Sequence, residues 1–214
     1  MNGSLAPTLV PLGDRALLVR FSEQLSDGAN RAAIAMAGRL EKSGIEGVEE
    51  IAPGLVSVLL RLSPRANFMR LSGEIRMLAE ADEVVAPGAE HAIAVKFDGD
   101  DLSEIAGQLG LDRAAFIARH NAAPLRVLAT GFAPGFVYCG FHGDDLAAPR
   151  RETVRPVVPA GTVLFAAGQT AIAATPIRTG WHVIGKTTFQ NFDPAVIPPT
   201  RLRPGDTIRF TEVT

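Results

Sequence analysis

The chain has 214 residues, of which 47% are hydrophobic and 21% are charged, and its formal net charge at pH 7 is −2. A nearly neutral chain lacks the basic surface that binds nucleic acid or anionic membranes, so we expect neither as a partner. No segment approaches the ~18 consecutive apolar residues of a membrane span, and the N-terminus has no signal-peptide pattern, which predicts a cytoplasmic protein. The single cysteine excludes an internal disulfide and a multi-cysteine metal site.

The first half alternates between strand and helix patterns. Strands are predicted at 16–21, 48–51 and 55–62. Ser26 is a candidate N-cap for a helix that ends at Gly44, and Ser63-Pro64 is a candidate start for a second helix that contains Leu71 and Ile75. This βαββα order is typical of a ferredoxin-like α/β layer, whose closing strand is either 83–86 or 92–97. We therefore predict a first domain over residues 1–88.

The second domain, residues 89–214, is predicted to be mostly β. Asp101 and Asp112 begin two short helices in a helical segment over 101–121. Strands are then predicted at 126–129, 162–166, 169–173, 181–186 and 207–213, with Pro- and Gly-rich turns between them. Because closure removes exposed strand edges, these strands favour a small closed barrel. The chain is thus predicted to have an α+β fold.

Residues 131–186 hold eight of the 21 glycines together with the only Trp, Tyr and Cys. Dense Gly and Pro between short strands is typical of tight turns, and loops on a β scaffold often carry binding groups. A barrel that simply needs many turns would show the same pattern.

Residues 180–187 (GWHVIGKT) match the phosphate-binding expression G-x-x-x-x-G-K-[ST]. We reject that match, because Trp, His, Val and Ile favour a strand and no helical pattern follows. Lys186 is then an isolated cation that an anion could still meet.

Several motifs together resemble a known family. They are GDRALLV at 13–19, His120 at the end of a helix, GFAPGFVY at 131–138, PRR at 149–151, VPAG at 158–161, GQT at 168–170, and GW and IG at 180–181 and 184–185. In this order they resemble the family that covers the B subunit of 5-oxoprolinase and allophanate hydrolase subunit 1. That family also contains the sporulation kinase inhibitor and the carboxyltransferase domain of urea carboxylase.

The resemblance implies a ferredoxin-like domain followed by a cyclophilin-like β-barrel. It also implies an ATP-dependent amide or lactam hydrolase, most simply one that opens 5-oxoproline to glutamate, in which this chain is inactive alone. The partners would be a larger subunit and a third subunit, with ATP bound by the complex and no metal in this chain. Two alternatives stay open: a protein that inhibits a sensor histidine kinase, and a component of a biotin-dependent carboxyltransferase.

Five residues are candidates for catalysis. A guanidinium fork or an ammonium binds carboxylates and phosphates, a carboxamide matches both groups of a lactam, and an imidazole exchanges protons near neutrality. The candidates for these roles are Arg150, Arg151 and Lys186 for anions, Gln169 for the amide, and His120 for a proton. Solvated arginines, a structural glutamine and a histidine favoured by the helix dipole are the plainer alternatives.

Six further residues are candidates for substrate binding, although core packing explains the aromatic ones equally well. They are Pro134, Gly135, Phe136, Tyr138, Thr170 and Trp181. The chain departs from the family pattern at Ala171, Ala173 and Ala174 (family Q-T-G-I-Y-P), at Thr179 (family Gly) and at Lys186 (family Arg). These departures leave the exact substrate open.

Two weaker candidates lie nearby. Cys139 within the Gly-rich motif is a conceivable nucleophile, although a small buried cysteine is the commoner role. His142 with Asp144 and Asp145 is a weak metal pattern, because no second cluster of ligands accompanies it.

Overall fold

The structure is a computed structural model that describes residues 5–80 and 88–213. It divides into two compact units, Met1–Pro87 and Gly88–Thr214. Both contain helices and strands, which confirms the predicted α+β class. Within the described ranges, no helix combines the length and apolar character that a bilayer span requires.

The first unit is an antiparallel sheet with two helices. Its elements are β1 (Thr8–Pro11), β2 (Ala16–Arg20), α1 (Asp27–Ser43), β3 (Val48–Pro53), β4 (Ser57–Leu62) and α2 (Phe68–Ala79). The strand order is β1-β2-β4-β3. Because β2 and β3 both run antiparallel to β4, they are parallel to each other, and α1 connects them as the crossover helix. Apolar side chains of β2 and β4 form one core with those of α1 and α2.

Local capping residues begin both helices, but the sequence analysis identified the correct one only for α1. The Ser26 hydroxyl accepts a hydrogen bond from the Ala29 N–H at 3.3 Å, and Gly44 ends α1 in the left-handed region with φ 57°. The predicted start of α2 at Ser63-Pro64 is wrong. The helix begins at Phe68, because Asn67 is the N-cap and its side chain accepts from the Arg70 N–H at 3.1 Å.

The sequence analysis offered two candidates for the closing strand of the ferredoxin-like layer. The candidate at 83–86 lies outside the described residues. The candidate at 92–97 is wrong, because β5 (Glu90–Val95) belongs to the sheet of the second unit, where it pairs with the last strand. The edge of β2 is instead occupied by β1, which the sequence analysis missed. The ferredoxin-like assignment stays a prediction.

The second unit is built on a seven-stranded mixed sheet. After β5 come α3 (Leu102–Gln108), α4 (Arg113–His120), β6 (Leu125–Thr130), β7 (Val137–Gly140), β8 (Arg155–Val158), β9 (Thr162–Ala166), β10 (Gln169–Ile172), β11 (Ile177–Thr179), β12 (His182–Lys186) and β13 (Thr207–Glu212). The order is β12-β9-β10-β7-β6-β13-β5, and β8 and β11 form a separate two-stranded ribbon. The predicted β-rich half is confirmed, as a sheet curled into a half-barrel whose two edge strands are connected by the bridge pair Lys96 with Lys186. Closure into a small barrel stays a prediction. The cyclophilin-like assignment stays a prediction.

Each face of this sheet covers its own core. On β9, Val163 and Phe165 join a large inner cluster with α3 and α4. The alternate residues Leu164 and Ala166 join a smaller outer cluster that includes Trp181 and residues of the ribbon. Since both faces are covered, all five residues of β9 are buried. Residues 180–187 form a turn and strand β12 without a following helix, which confirms the rejection of the phosphate-binding loop.

Candidate functional site

Strand β10 divides the predicted site residues between the two faces of the sheet. All four of its residues are buried. Because successive side chains of a strand alternate, Gln169 and Ala171 face the outer cluster while Thr170 and Ile172 face the inner one. Gln169 and Thr170, which were predicted to serve one site, therefore belong to two different surroundings.

The outer side carries an aromatic cluster, which we call the aromatic face: Phe136, Tyr138 and Trp181. The ring centroids of Phe136 and Tyr138 are 4.8 Å apart, and those of Tyr138 and Trp181 are 6.0 Å apart. The Arg150 guanidinium lies 5.8 Å from the centroid of the Trp181 ring, in a cation–π arrangement. Burial raises the pKa of Tyr138, and the charge of Arg150 opposes that rise in part. The aromatic face thus combines planar apolar surface with one exposed cation.

Gln169 shares this side of the sheet, and the hydrogen bonding of its side chain is incomplete. Its side chain is 5% exposed, and its Nε2 has no hydrogen-bond partner among the described residues. A buried donor left without an acceptor costs about 1–3 kcal/mol. The amide has a free donor, but because this atom is buried, a carbonyl or carboxylate oxygen from outside the chain reaches it only after neighbouring side chains move.

The inner side holds a hydrogen-bonded group that we call the histidine network: Asn121, His120, Thr170 and His142. The Thr170 Oγ1 lies 2.8 Å from Nε2 of His120 and 2.8 Å from Nε2 of His142. His120 Nδ1 lies 2.8 Å from Oδ1 of Asn121. With this oxygen as acceptor, His120 carries its proton on Nδ1. The Thr170 hydroxyl then donates to His120 Nε2 and accepts from the Nε2–H of His142.

Both imidazoles of this network are held neutral. Burial lowers the pKa of His120 to about 4, which the hydrogen bond with Asn121 partly opposes. Burial, helped by the neighbouring His120, lowers the pKa of His142 to about 3. Phenylalanine rings surround His120, with ring centroids of Phe97 and Phe210 both 5.4 Å away. Thr170 is 0% exposed, so its hydroxyl cannot meet a substrate directly, although the hydroxyl–imidazole–amide order resembles that of a catalytic triad.

Two of the predicted cations are bound to carboxylates of the chain. Asp101 is 3% exposed and accepts from the Arg151 guanidinium, from Arg155 Nη2 at 2.6 Å and from the Val183 N–H at 2.7 Å. Burial would raise the pKa of Asp101, but the two arginines and the N–H of Val183 together hold it below its usual range. Lys186 Nζ lies 2.9 Å from Oδ2 of Asp98, and this contact lowers the pKa of Asp98.

The remaining predicted residues have mostly structural contacts. Pro134 is exposed, and Gly135 takes φ 67°. A side chain at Gly135 would collide with Phe192. The Gly135 carbonyl accepts a hydrogen bond from Nδ2 of Asn191 at 2.8 Å. Burial raises the pKa of the Cys139 thiol far above its usual range, which fits packing rather than nucleophilic attack.

Two residues of the weak metal pattern have other partners in the fold. His142 belongs to the histidine network, and Asp145 pairs with Arg119 at 3.1 Å.

The structure also shows residues that the sequence reasoning missed. Asp101 was expected only to begin a helix, yet its side chain makes no capping hydrogen bond and instead forms ion pairs with two arginines. Arg155 lies 54 positions away, and no local signal links the two residues. A cavity of about 450 Å³ lies against α4 and contains none of the predicted site residues. Its polar lining consists of Arg113, Asn121 and Glu212.

Comparison with known proteins places this chain in a family. The family described as carboxyltransferase domain, subdomain C and D, matches residues 7–202. The chain therefore belongs to this carboxyltransferase-domain family. Within it, the B subunit of 5-oxoprolinase from Bacillus subtilis (strain 168) is 32% identical over an alignment of 218 positions that covers 94% of this chain and 91% of that protein. The protein of the same name from Escherichia coli O157:H7 is 30% identical, over 93% of each chain.

Solved structures agree with this assignment. The protein TTHA0988 is 35% identical, with a TM-score of 0.83 over 94% of this chain and 40% of its own length. The chain therefore spans well under half of that protein. The urea carboxylase of Kluyveromyces lactis has a TM-score of 0.75 over 97% of this chain and 22% of its own, at 17% identity, which shows a shared fold.

Proposed function

We propose that this chain is a subunit of an ATP-dependent lactam or amide hydrolase of the 5-oxoprolinase type. It would act with a larger partner subunit and a third subunit, and the complex would bind ATP. Support comes from relatives named as the B subunit of 5-oxoprolinase, which align over nearly their whole length. TTHA0988 carries the same fold within a chain more than twice as long, which fits a unit that works beside further domains.

The observation that carries the proposal is the unpartnered Nε2 of Gln169 on the same face of the sheet as the aromatic face. A lactam ring is flat, carries a carbonyl acceptor and, in 5-oxoproline, a carboxylate. Gln169 would donate to the lactam oxygen, while Arg150 above Trp181 would bind the carboxylate. Tyr138, the half-buried member of the aromatic face, would stack on the ring, while the buried Phe136 and Trp181 would hold Tyr138 in place.

In this reaction, the lactam oxygen attacks the γ-phosphorus of ATP, and ADP leaves. Water would then add to the activated carbonyl carbon, and the C–N bond would break to leave an acyl phosphate. A second water would attack this acyl carbon, and phosphate would depart with the former lactam oxygen. The nitrogen takes up protons and becomes an ammonium group. The contribution of this chain would be orientation and charge stabilisation rather than nucleophilic attack.

The other proposed catalytic residues are already paired or buried, so they would reach the substrate less directly than Gln169 and Arg150. Arg151 and Lys186 would have to exchange Asp101 and Asp98 for a phosphate oxygen, because each is already paired. His120 would act through Thr170, since it is 1% exposed. Pro134 and Gly135 would shape the turn that leads into Phe136 and the aromatic face.

The test is reconstitution with the larger and the third subunit of a 5-oxoprolinase-type complex. We expect glutamate to form only when the chain, its partners, ATP and 5-oxoproline are all present, and the isolated chain to be inactive. Replacing Gln169 by Leu should lower kcat by about 100-fold, as for the loss of one oxyanion donor. Gln108→Leu, at an exposed position on α3, is the matched control and should leave kcat unchanged. Full activity of Gln169→Leu would refute the assigned role of Gln169.

A second candidate function follows from the family description itself. Since the matched family is a carboxyltransferase domain, a biotin-dependent carboxyltransferase is the alternative, with biotin supplied by another protein. Activity of the reconstituted complex that avidin abolishes would support it. Avidin-insensitive hydrolysis of 5-oxoproline would dismiss it.

A further inference from the structure

The cavity beside α4 belongs entirely to the second unit and lies apart from the aromatic face. Helix α4 contributes Arg113 and Ile117, Phe97 follows β5, and Glu212 ends β13. Its volume of about 450 Å³ lies within the range of small-molecule sites. The proposed reaction makes no use of it.

The cavity presents a cation and an anion that do not pair with each other. Arg113 Nη2 donates to the Phe97 carbonyl at 3.0 Å, which holds the guanidinium in place. Among the described residues, the remaining N–H groups of Arg113 and the carboxylate of Glu212 have no hydrogen-bond or ion-pair partner. Arg113 and Glu212 are both exposed, so water solvates their charges in the free chain. A ligand that carries both a carboxylate and an ammonium group would replace that water at both residues.

The rest of the lining adds an apolar floor and one amide donor. Phe97 and Ile117 are buried and supply aromatic and aliphatic surface. Asn121 directs its Oδ1 to His120, so its NH₂ group is left as the donor toward the cavity. A short methylene chain with an acidic end would match this floor and this donor.

We infer that this cavity binds an acidic α-amino acid, the ring-opened product class of the proposed reaction, on which the inference rests. The α-carboxylate binds Arg113, the ammonium binds Glu212, and the side-chain carboxylate accepts from the amide of Asn121. A lactam substrate has a neutral amide nitrogen in place of the ammonium, so Glu212 has no partner in it. The cavity therefore distinguishes product from substrate.

Binding of a ligand in this cavity would change the hydrogen bonds of the histidine network. Asn121 lines the cavity, and its side chain is bonded to His120, which in turn is bonded to Thr170. A ligand that accepts a hydrogen bond from the Asn121 NH₂ group would change the hydrogen bond between Asn121 Oδ1 and His120 Nδ1. Thr170 lies next to Gln169 on β10, so product bound on one side of the sheet is coupled to the amide that binds substrate on the other.

The experiment is an NMR titration of the full ¹⁵N-labelled chain alone, with neither ATP nor partner subunits. The probes are L-glutamate, glutarate, which lacks the ammonium, and 5-oxoproline, which lacks it and is cyclic. We expect L-glutamate to saturate at about millimolar concentration and to shift the resonances of Arg113, Asn121 and the His120 imidazole. Glutarate and 5-oxoproline should bind this cavity at least about 10-fold more weakly.

Two substitutions and a control locate the site. Arg113→Gln and Glu212→Gln should each weaken L-glutamate binding by about 10-fold or more. Arg119→Gln removes the same charge from the same helix outside the cavity and should leave binding unchanged. Unchanged spectra of the free variants away from the substitution show that they remain folded.

Three outcomes would overturn the inference: no saturable shift with L-glutamate, equal binding of glutarate, or equal binding by the variants and wild type. Because the titration needs no turnover, its failure is distinct from failure of the proposed function. An active complex without glutamate binding here removes the inference alone. An inactive complex with glutamate bound here removes the proposed reaction and leaves an amino-acid site of another purpose.

Discussion

The side chains of His120 and Thr170, 50 positions apart in the sequence, are joined by a hydrogen bond of 2.8 Å between Nε2 and Oγ1. The same hydroxyl lies 2.8 Å from Nε2 of His142, so one buried oxygen connects two imidazoles. In that arrangement His120 is neutral, because its Nε2 accepts from the Thr170 hydroxyl and a doubly protonated imidazole has only donors to offer. The second unit should therefore be sensitive to acid.

The first prediction concerns stability against pH. In the unfolded chain a histidine titrates near pH 6.5, whereas in the fold the pKa of His120 is about 4 and that of His142 about 3. Between these values the unfolded state binds more protons, so the free energy of unfolding falls as pH falls. Stability should be full above about pH 6.5, and His120 alone should account for a loss of about 3 kcal/mol by about pH 4.

Urea unfolding across this pH range measures the slope, and the imidazole Cε1–H resonances report the two rings directly. The resonances of His120 and His142 should not titrate between about pH 7 and about pH 5. If either ring titrates near its ordinary pKa, the network is not held neutral.

The second prediction concerns the balance between stability and activity at Gln169. Replacing it by Leu removes a buried donor that has no partner among the described residues, so the isolated chain should gain up to about 1 kcal/mol in stability. The same change should reduce turnover of the reconstituted complex, because the proposed lactam contact is lost. Thermal unfolding and steady-state kinetics measure the two effects, and a clear loss of stability would show that Nε2 is already satisfied.

The third prediction tests the carboxylate that holds the loop around Arg151. Asp101→Asn leaves two guanidinium groups without their buried counter-charge and should cost about 3–5 kcal/mol. Asp100→Asn is the matched control: Asp100 is exposed and lies 3.7 Å from Arg155, so its loss should cost under about 1 kcal/mol. Equal effects in denaturant unfolding would contradict the assigned role of Asp101.

The fourth prediction concerns the larger partner of the proposed complex. A hydrogen bond from Asn191 to the Gly135 carbonyl ties together two loops, one exposing Phe132 at 76% and the other Ile197 at 99%. Exposed apolar groups on neighbouring loops favour association. The double substitution Phe132→Ser with Ile197→Ser should weaken binding of the larger subunit at least about 10-fold without lowering the melting temperature.

The control for this surface is Val157→Ser, an exposed apolar position on the β8–β11 ribbon, which should leave binding unchanged. Isothermal titration with the purified larger subunit measures the affinity. Equal affinity for the double variant and wild type would exclude these loops from the interface.

Local sequence signals were sufficient to predict many of the helices and strands. Ser26 and Gly44 define α1 because capping and left-handed geometry depend only on neighbours in the chain. The run at 162–166 is a strand because β-branched and apolar residues suit a buried sheet. Where two local signals competed, as at Ser63 and Asn67, the sequence could not choose between them, since either residue can cap a helix.

The candidate site depended on information that no local pattern holds. From the sequence alone one can determine the α+β class, the β-rich second half, the absence of a phosphate-binding loop and the resemblance to a family. Only the tertiary structure decided that Gln169 and Thr170 face different cores, that Asp101 binds Arg151 and Arg155, and that Arg113 and Glu212 share a cavity. The reason is physical: strand pairing and sheet curl bring together residues that are distant in sequence, and burial then sets which polar groups are bonded and which stay neutral.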